Sequence, residues 1–142
     1  IQFFHTLNMK YWLVKSDPET YSFPDLQKDK VTSWDGVRNY AARNFLREMK
    51  KGDMVLVYHS GGESCVIGLA TVSKNPYVDP TADNDTWTSV ELKAGKSLAN
   101  VVTLSSIKKE SSLKDIALIK ISRLSVMPVT EAHYDKILKM SI

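Results

Sequence analysis

The spacing of apolar residues changes several times along the chain, and each change marks an element. Lys10–Ser16, KYWLVKS, alternates: Trp12, Val14 and Ser16 fall on one face and Tyr11, Leu13 and Lys15 on the other, which predicts a strand. Pro18 breaks it, Ser22 with Asp25 is expected to start a short helical turn, and Val31–Trp34 is a second extended piece. From Asn39 the period lengthens. Ala42, Phe45, Leu46 and Met49 recur at i, i+3, i+4 and i+7, with Asn39, Arg43, Arg47 and Lys50 on another side. Asp35 is expected to cap this helix, Gly36 to turn the backbone into it, and Gly52 to stop it.

MVLVYHS is almost wholly apolar until its end, as a strand buried on both faces should be, and after the GGE turn CVIGLATVSK reads as its hairpin partner. Gly68 inside that partner predicts a bulge or a close backbone approach. NPYVDPTADND is expected to be a long, solvated polar loop. Alternation returns at TWTSVELKA, with Thr88, Val90 and Leu92 on one face and Trp87, Ser89, Glu91 and Lys93 on the other. LSSIKKESSLKDIALIK reads as short helical turns, and SRLSVMPV as a last strand ended by Pro128. Thr130 then caps a closing helix that buries Tyr134, Ile137 and Leu138. The connections are too short for repeated βαβ crossovers, so the pattern predicts an α+β fold: a small mixed barrel or curved sheet with helices at its ends.

Composition narrows the function classes. The chain has 142 residues, enough for one self-sufficient core, and its one cysteine, Cys65, excludes an internal disulfide. His5, His59 and His133 are far apart with no carboxylate at ligand spacing, so neither a metal nor a cofactor is expected. A net charge of +3 mildly favours a polyanionic partner, and no apolar run approaches membrane-spanning length. Met9 looks like the start of the domain, residues 1–8 like an extension without a signal-peptide pattern, and residues 9–142 like one domain.

His59 beside Ser60 invites a hydrolase reading, but YHSGGES has no G-x-S-x-G elbow, and a satisfied histidine at a strand end is the simpler account. Binding is better supported. Lys15 and Ser16 close the first strand, Trp34 the second, and Tyr58, His59 and Ser60 the hairpin's first arm. If these ends share a rim, they meet Arg38 and Asn39 at the helix entrance in a half-aromatic, half-polar cup. Such a cup suits a flat heteroaromatic ring, because a stacked base contributes roughly 1–3 kcal/mol and polar groups read its edge. Arg38, Arg43 and Lys50 could then hold phosphates, although an Arg43, Arg47, Lys50 stripe is most simply a solvated helix face. Trp12 belongs in the core, whereas Trp34 and Trp87 divide between core and pocket.

KYWLVKSDP, WDGVRNYAARNFLREMKKGDMVLVYHS, VIGLATVSKNPYVDPT and RLSVMPVT together resemble an EVE domain, from Met9 nearly to the C-terminus. The resemblance implies a PUA-like mixed β-barrel of about five to six strands, related to the YTH readers of methylated adenine in RNA and, more distantly, to SRA readers of modified cytosine in DNA. It implies a non-enzymatic reader, without cofactor, whose partner is DNA or RNA carrying methylated or hydroxymethylated cytosine or methylated adenine. Lys15 and Ser16 match the strand-end pair of YTH-like domains, Trp34 the first cage tryptophan and Trp87 the second wall. Arg38, Asn39 and YHS belong to the EVE pattern itself. One departure is SDP at Ser16–Pro18, where EVE domains usually carry Glu. This sequence carries no long basic N-terminal tail, which favours a cytoplasmic address; a monomer is expected as well. The rival expectations are a protein-interaction module without nucleic-acid binding and, third, a hydrolase using His59 and Ser60.

Overall fold

A computed structural model describes residues 9–142, so the extension expected over residues 1–8 lies outside the described residues. Strands β1 (Tyr11–Ser16), β2 (Val31–Trp34), β3 (Met54–His59), β4 (Cys65–Val78), β5 (Thr88–Thr103) and β6 (Val126–Val129) form one sheet in the order β2-β5-β4-β3-β1-β6. β1 and β3 run parallel, and the remaining neighbours are antiparallel. The crossover between β1 and β3 contains α1 (Phe23–Asp29), β2 and α2 (Tyr40–Glu48). Helices α3 (Leu104–Lys109) and α4 (Ala117–Lys120), with a 3-10 turn between them, fill the link from β5 to β6, and α5 (Glu131–Met140) closes the chain. This is the α+β architecture expected, with one qualification. Among the described residues β2 and β6 are sheet edges that do not pair with each other, so the barrel is open rather than closed.

Position in the sheet explains the burial. β1 lies between β3 and β6, and Trp12, Leu13 and Val14 are all buried in succession, so its alternation carries no solvent face. Trp12 is a core residue, as expected. Its indole N–H donates to Asp53 Oδ2 at 2.9 Å, and the same carboxylate accepts the backbone N–H groups of Lys10 at 3.2 Å and Lys50 at 3.0 Å. One buried acid thereby ties the start of β1 to the turn before β3. Pro128 stands inside β6 rather than ending it; on an edge strand its missing N–H deprives no outer neighbour.

Four boundaries differ from the sequence pattern. The cap of α2 is Asn39, whose side chain accepts from Ala42 N–H at 2.9 Å, while Asp35 stays in the loop before it. The helix ends at Glu48, and Gly52 (φ 99°) serves the following turn instead of stopping the helix. β4 continues through Asn75, Pro76, Tyr77 and Val78, because pairing with β5 persists past the acid-amide residue that looked like a loop start. β5 likewise runs on to Thr103. Both extensions depend on cross-strand hydrogen bonds that local polarity does not reveal.

Gly68 meets the first expectation, and the close approach there is made by a side chain rather than by a backbone. The pairing register of β4 shifts on either side of it, and a Cβ built there would lie 2.3 Å from Phe23 Cζ. Phe23 is fully buried at the start of α1, so its ring has no free space to retreat into. Gly68→Ala should therefore destabilise the protein by about 1–3 kcal/mol, as overpacking does. Chemical denaturation measures this; an unchanged midpoint would show that Phe23 can move.

Candidate functional site

The gap between the sheet's two edges is where the predicted residues gather. A cleft of about 590 Å³ opens there, with Lys15 and Ser16 of β1 and Ser125 before β6 on one side and the segment from Thr32 to Arg38 on the other. The residues meet by a different route from strands ending side by side. β1 and β3 do end together, Ser16 opposite His59, but Trp34 arrives on the edge strand from across the open seam. A second cavity of about 340 Å³, bordered by Tyr11, Phe45, Glu48, Pro128 and Glu131, holds none of the predicted site residues.

Trp34 is half-buried. Its backbone pairs with Val90 of β5, and its ring meets Tyr21 edge-on, centroids 6.3 Å apart and planes at 78°. Tyr21 is held in turn, its hydroxyl donating to Asp29 Oδ2 at 2.7 Å. Trp34 thus packs on the core and also lines the cleft, so the two readings of it are not exclusive.

The residues after Trp34 are fixed by a carboxylate that the sequence reading placed in a solvated loop. Asp79, at the end of β4, is 1% exposed. Its Oδ2 accepts from Gly36 N–H at 2.8 Å and from Arg38 Nη1 at 2.9 Å, and its Oδ1 accepts from Thr81 N–H at 2.7 Å and Thr81 Oγ1 at 2.6 Å. Burial alone would raise the Asp79 carboxyl, but the Thr81 hydroxyl, the Arg38 guanidinium and the two backbone N–H groups outweigh it and hold it at about 2. Arg38 also reaches Thr81 Oγ1 at 3.2 Å and lies over the Trp87 ring at 5.5 Å. Asp35 lines the cleft in the same segment, and its carboxyl is pushed up by burial and by the charge of Asp79, against the pull of Arg38 and its own backbone N–H.

The other predicted residues are distributed as follows. Lys15 Nζ donates to Ser122 O at 2.7 Å and sits over the Tyr58 ring at 5.8 Å; burial lowers its pKa. The Ser16 hydroxyl donates to Tyr21 O, and Ser16 O accepts from Ser60 N–H at 2.9 Å, so both serines brace the strand ends. Tyr58 is buried within the core cluster. His59 Nε2 accepts the Phe23 N–H at 2.9 Å, and burial lowers the His59 pKa; its basic nitrogen is engaged in holding α1, not poised on Ser60. Asn39 is spent on capping α2.

Trp87 lies outside the cleft lining, beside Tyr40 at 5.0 Å. Arg43 lies over Tyr40 at 4.9 Å and donates to Thr86 O at 3.3 Å, and Arg47 donates to Thr86 O at 3.0 Å and Thr88 Oγ1 at 3.0 Å. These arginines fasten α2 to the start of β5, while Lys50 sits past the other end of the helix. The sequence pattern singles out neither Asp79 nor Tyr21 for the site. The only local hint for Asp79 is Asp-Pro-Thr, where a Thr two residues on can close back on the acid.

The EVE domain family model matches residues 10–140. Human thymocyte nuclear protein 1 is 33% identical over 164 aligned residues, covering 92% of this chain and 73% of that one. A hypothetical protein from Leishmania major has a solved structure that superimposes with a TM-score of 0.90 at 41% identity, covering 95% of this chain and 96% of the other. A crystal structure of human THYN1 in complex with DNA containing 5-methylcytosine superimposes with a TM-score of 0.87 at 31% identity, covering 93% and 97%.

The Asp79 cluster makes a pH prediction. Its folded pKa, about 2, lies below the ordinary 3.8, so its stabilisation is present above pH 3.8 and is lost as pH falls towards 2. Asp79→Asn should be less stable at neutral pH by roughly 1.5–3 kcal/mol, the worth of a hydrogen bond to a charged group, and should lose less between pH 4 and 2 (approximate window) than the parent. Denaturation midpoints across that range test it, and parallel curves would show that the carboxylate's charge is not what anchors the loop.

Proposed function

The chain belongs to the EVE domain family, and from that premise we propose that it is a nucleic-acid-binding reader whose cleft receives a modified base, with 5-methylcytosine in DNA as the first ligand to test. The observation that carries the reading is that Trp34 and Arg38 stand together on one wall of a cleft of about 590 Å³, in the size range of small-ligand sites, facing Lys15 and Ser16. Support for the ligand class comes from the structural likeness to human THYN1, which has been crystallised with DNA containing that base.

In this reading the base leaves its stack and enters the seam between the sheet edges. Trp34 offers a face for stacking, and Tyr21 keeps its ring from rotating away. Arg38, 41% exposed at its side chain while its carboxylate partner is fully buried, keeps part of its guanidinium available to the strand's phosphates. Recognition needs a flipped or single-stranded base, since ring faces are inaccessible within a duplex. The proposal involves no reaction: the site holds a base and releases it unchanged. RNA and methylated adenine are the alternative ligands of the same chemistry.

Tryptophan fluorescence quenching by short single-stranded oligomers, with and without 5-methylcytosine, 5-hydroxymethylcytosine or N6-methyladenine, tests the reading. Trp34→Ala should weaken binding of the modified oligomer by about 5- to 150-fold, the equivalent of roughly 1–3 kcal/mol for one stacked base. The variant loses some core packing, so its fold is checked by circular dichroism, and Trp34→Phe should restore most of the affinity. Unchanged affinity in a folded Trp34→Ala would refute the site. Affinity should also fall steeply with salt, as phosphate contacts require, and a flat salt response would argue against a nucleic-acid backbone in the complex.

A further inference from the structure

We propose that Asp35 sets which bases the cleft accepts: its carboxylate takes a hydrogen bond from an exocyclic amino group, so cytosine-type edges are favoured over the keto edge of thymine. The inference rests on the cleft being the base site argued above. It starts from an oddity of charge. A carboxylate on the wall of a nucleic-acid cleft repels phosphates, so its presence calls for a specific use.

The other ionic groups of the cleft already have partners. Arg38 is bonded to Asp79 and Thr81, and Lys15 to the Ser122 carbonyl. Asp17, the second acid on the wall, is spent on its own turn: Oδ1 accepts from Glu19 N–H at 2.9 Å, and its carbonyl accepts from Thr20 and Tyr21. Asp35 differs. Among the described residues the carboxylate of Asp35, an exposed residue on the cleft wall, has no hydrogen-bond or ion-pair partner on another residue, and the negative charge of Asp79 disfavours its own. It follows Trp34 directly, and the next residue is anchored through Gly36 N–H to Asp79, so the backbone carrying the acid is fixed beside the stacking ring. A base stacked on Trp34 therefore brings its hydrogen-bonding edge near an acceptor that lacks a donor. Carboxylates accept from the N4 amino group of cytosine and repel the O4 that thymine carries in its place, so that thymine offers a donor only at N3–H, one position further round the ring.

5-Methylcytosine and thymine make the comparison sharp, because both carry the 5-methyl group and differ at the 4-position and the adjoining ring nitrogen. Two single-stranded oligomers identical but for that one base are titrated against the parent, Asp35→Asn and Asp35→Ala, with thermal melts as a folding control. The parent should prefer 5-methylcytosine by about ten-fold or more. Asp35→Asn, whose amide can turn its NH2 towards O4, should bring the two oligomers within about two-fold, and Asp35→Ala should lose affinity for 5-methylcytosine alone. A parent without the preference, an Asp35→Asn that keeps it, or an equal loss on both oligomers overturns the assignment. The two levels separate cleanly. Trp34-dependent binding without a cytosine preference sinks only the role of Asp35, whereas absence of any Trp34-dependent binding sinks the reader and this inference together.

Discussion

The buried carboxylate of Asp79 is the constraint on which the site depends. It lies where β4 ends, and its two oxygens gather four donors, two from Thr81 in its own loop and two from Gly36 and Arg38 in the segment between β2 and α2. A buried charge left without such partners would be costly, so the donors cannot drift away independently. The consequence is geometric. The segment after Trp34 cannot swing as an ordinary loop would, and the crowding of Trp34, Asp35, Gly36 and Arg38 before α2 becomes intelligible as one wall held from behind.

The opposite wall is set by the sheet. Parallel pairing of β1 with β3 puts Ser16 opposite His59, and the acceptor nitrogen of His59 holds the first backbone N–H of α1. Phe23 of that helix then fills the space that Gly68 leaves by lacking a Cβ. Asp53 performs the same service at the other end of β1, tying Trp12 to the turn before β3. These buried polar contacts add to the strand register that the buried faces already set. An open seam survives between the edges, and the cleft occupies it.

Much of this was legible in the sequence because the signals are local. The period of two in KYWLVKS, the period of 3.6 from Asn39 onward and the capping box at Ser22 and Asp25 each depend on residues a few positions apart. Apart from the choice of helix cap, what stayed hidden depends on partners about 40 residues away. Asp35 looks like the helix cap because it precedes the helix, yet Asn39 sits closer and takes the role. Asp79 looks solvated because its neighbours are polar, and only the fold brings Gly36 and Arg38 to it. His59 and Ser60 look like chemistry when adjacent in sequence, although one supports α1 and the other the end of β1. Trp34, Lys15, Ser16 and Arg38 do meet in one cleft; Trp87 instead stacks on Tyr40 beside it.

The central claim is that the base sits against Trp34, and the three tryptophans give a direct readout. Their indole N–H resonances, assigned by single substitutions, can be followed by NMR while an oligomer bearing 5-methylcytosine is added. Trp12, buried and bonded to Asp53, should stay fixed, and Trp34 should show the largest shift. If Trp34 stays still while Trp87 moves, the strand binds outside the cleft and the account is contradicted.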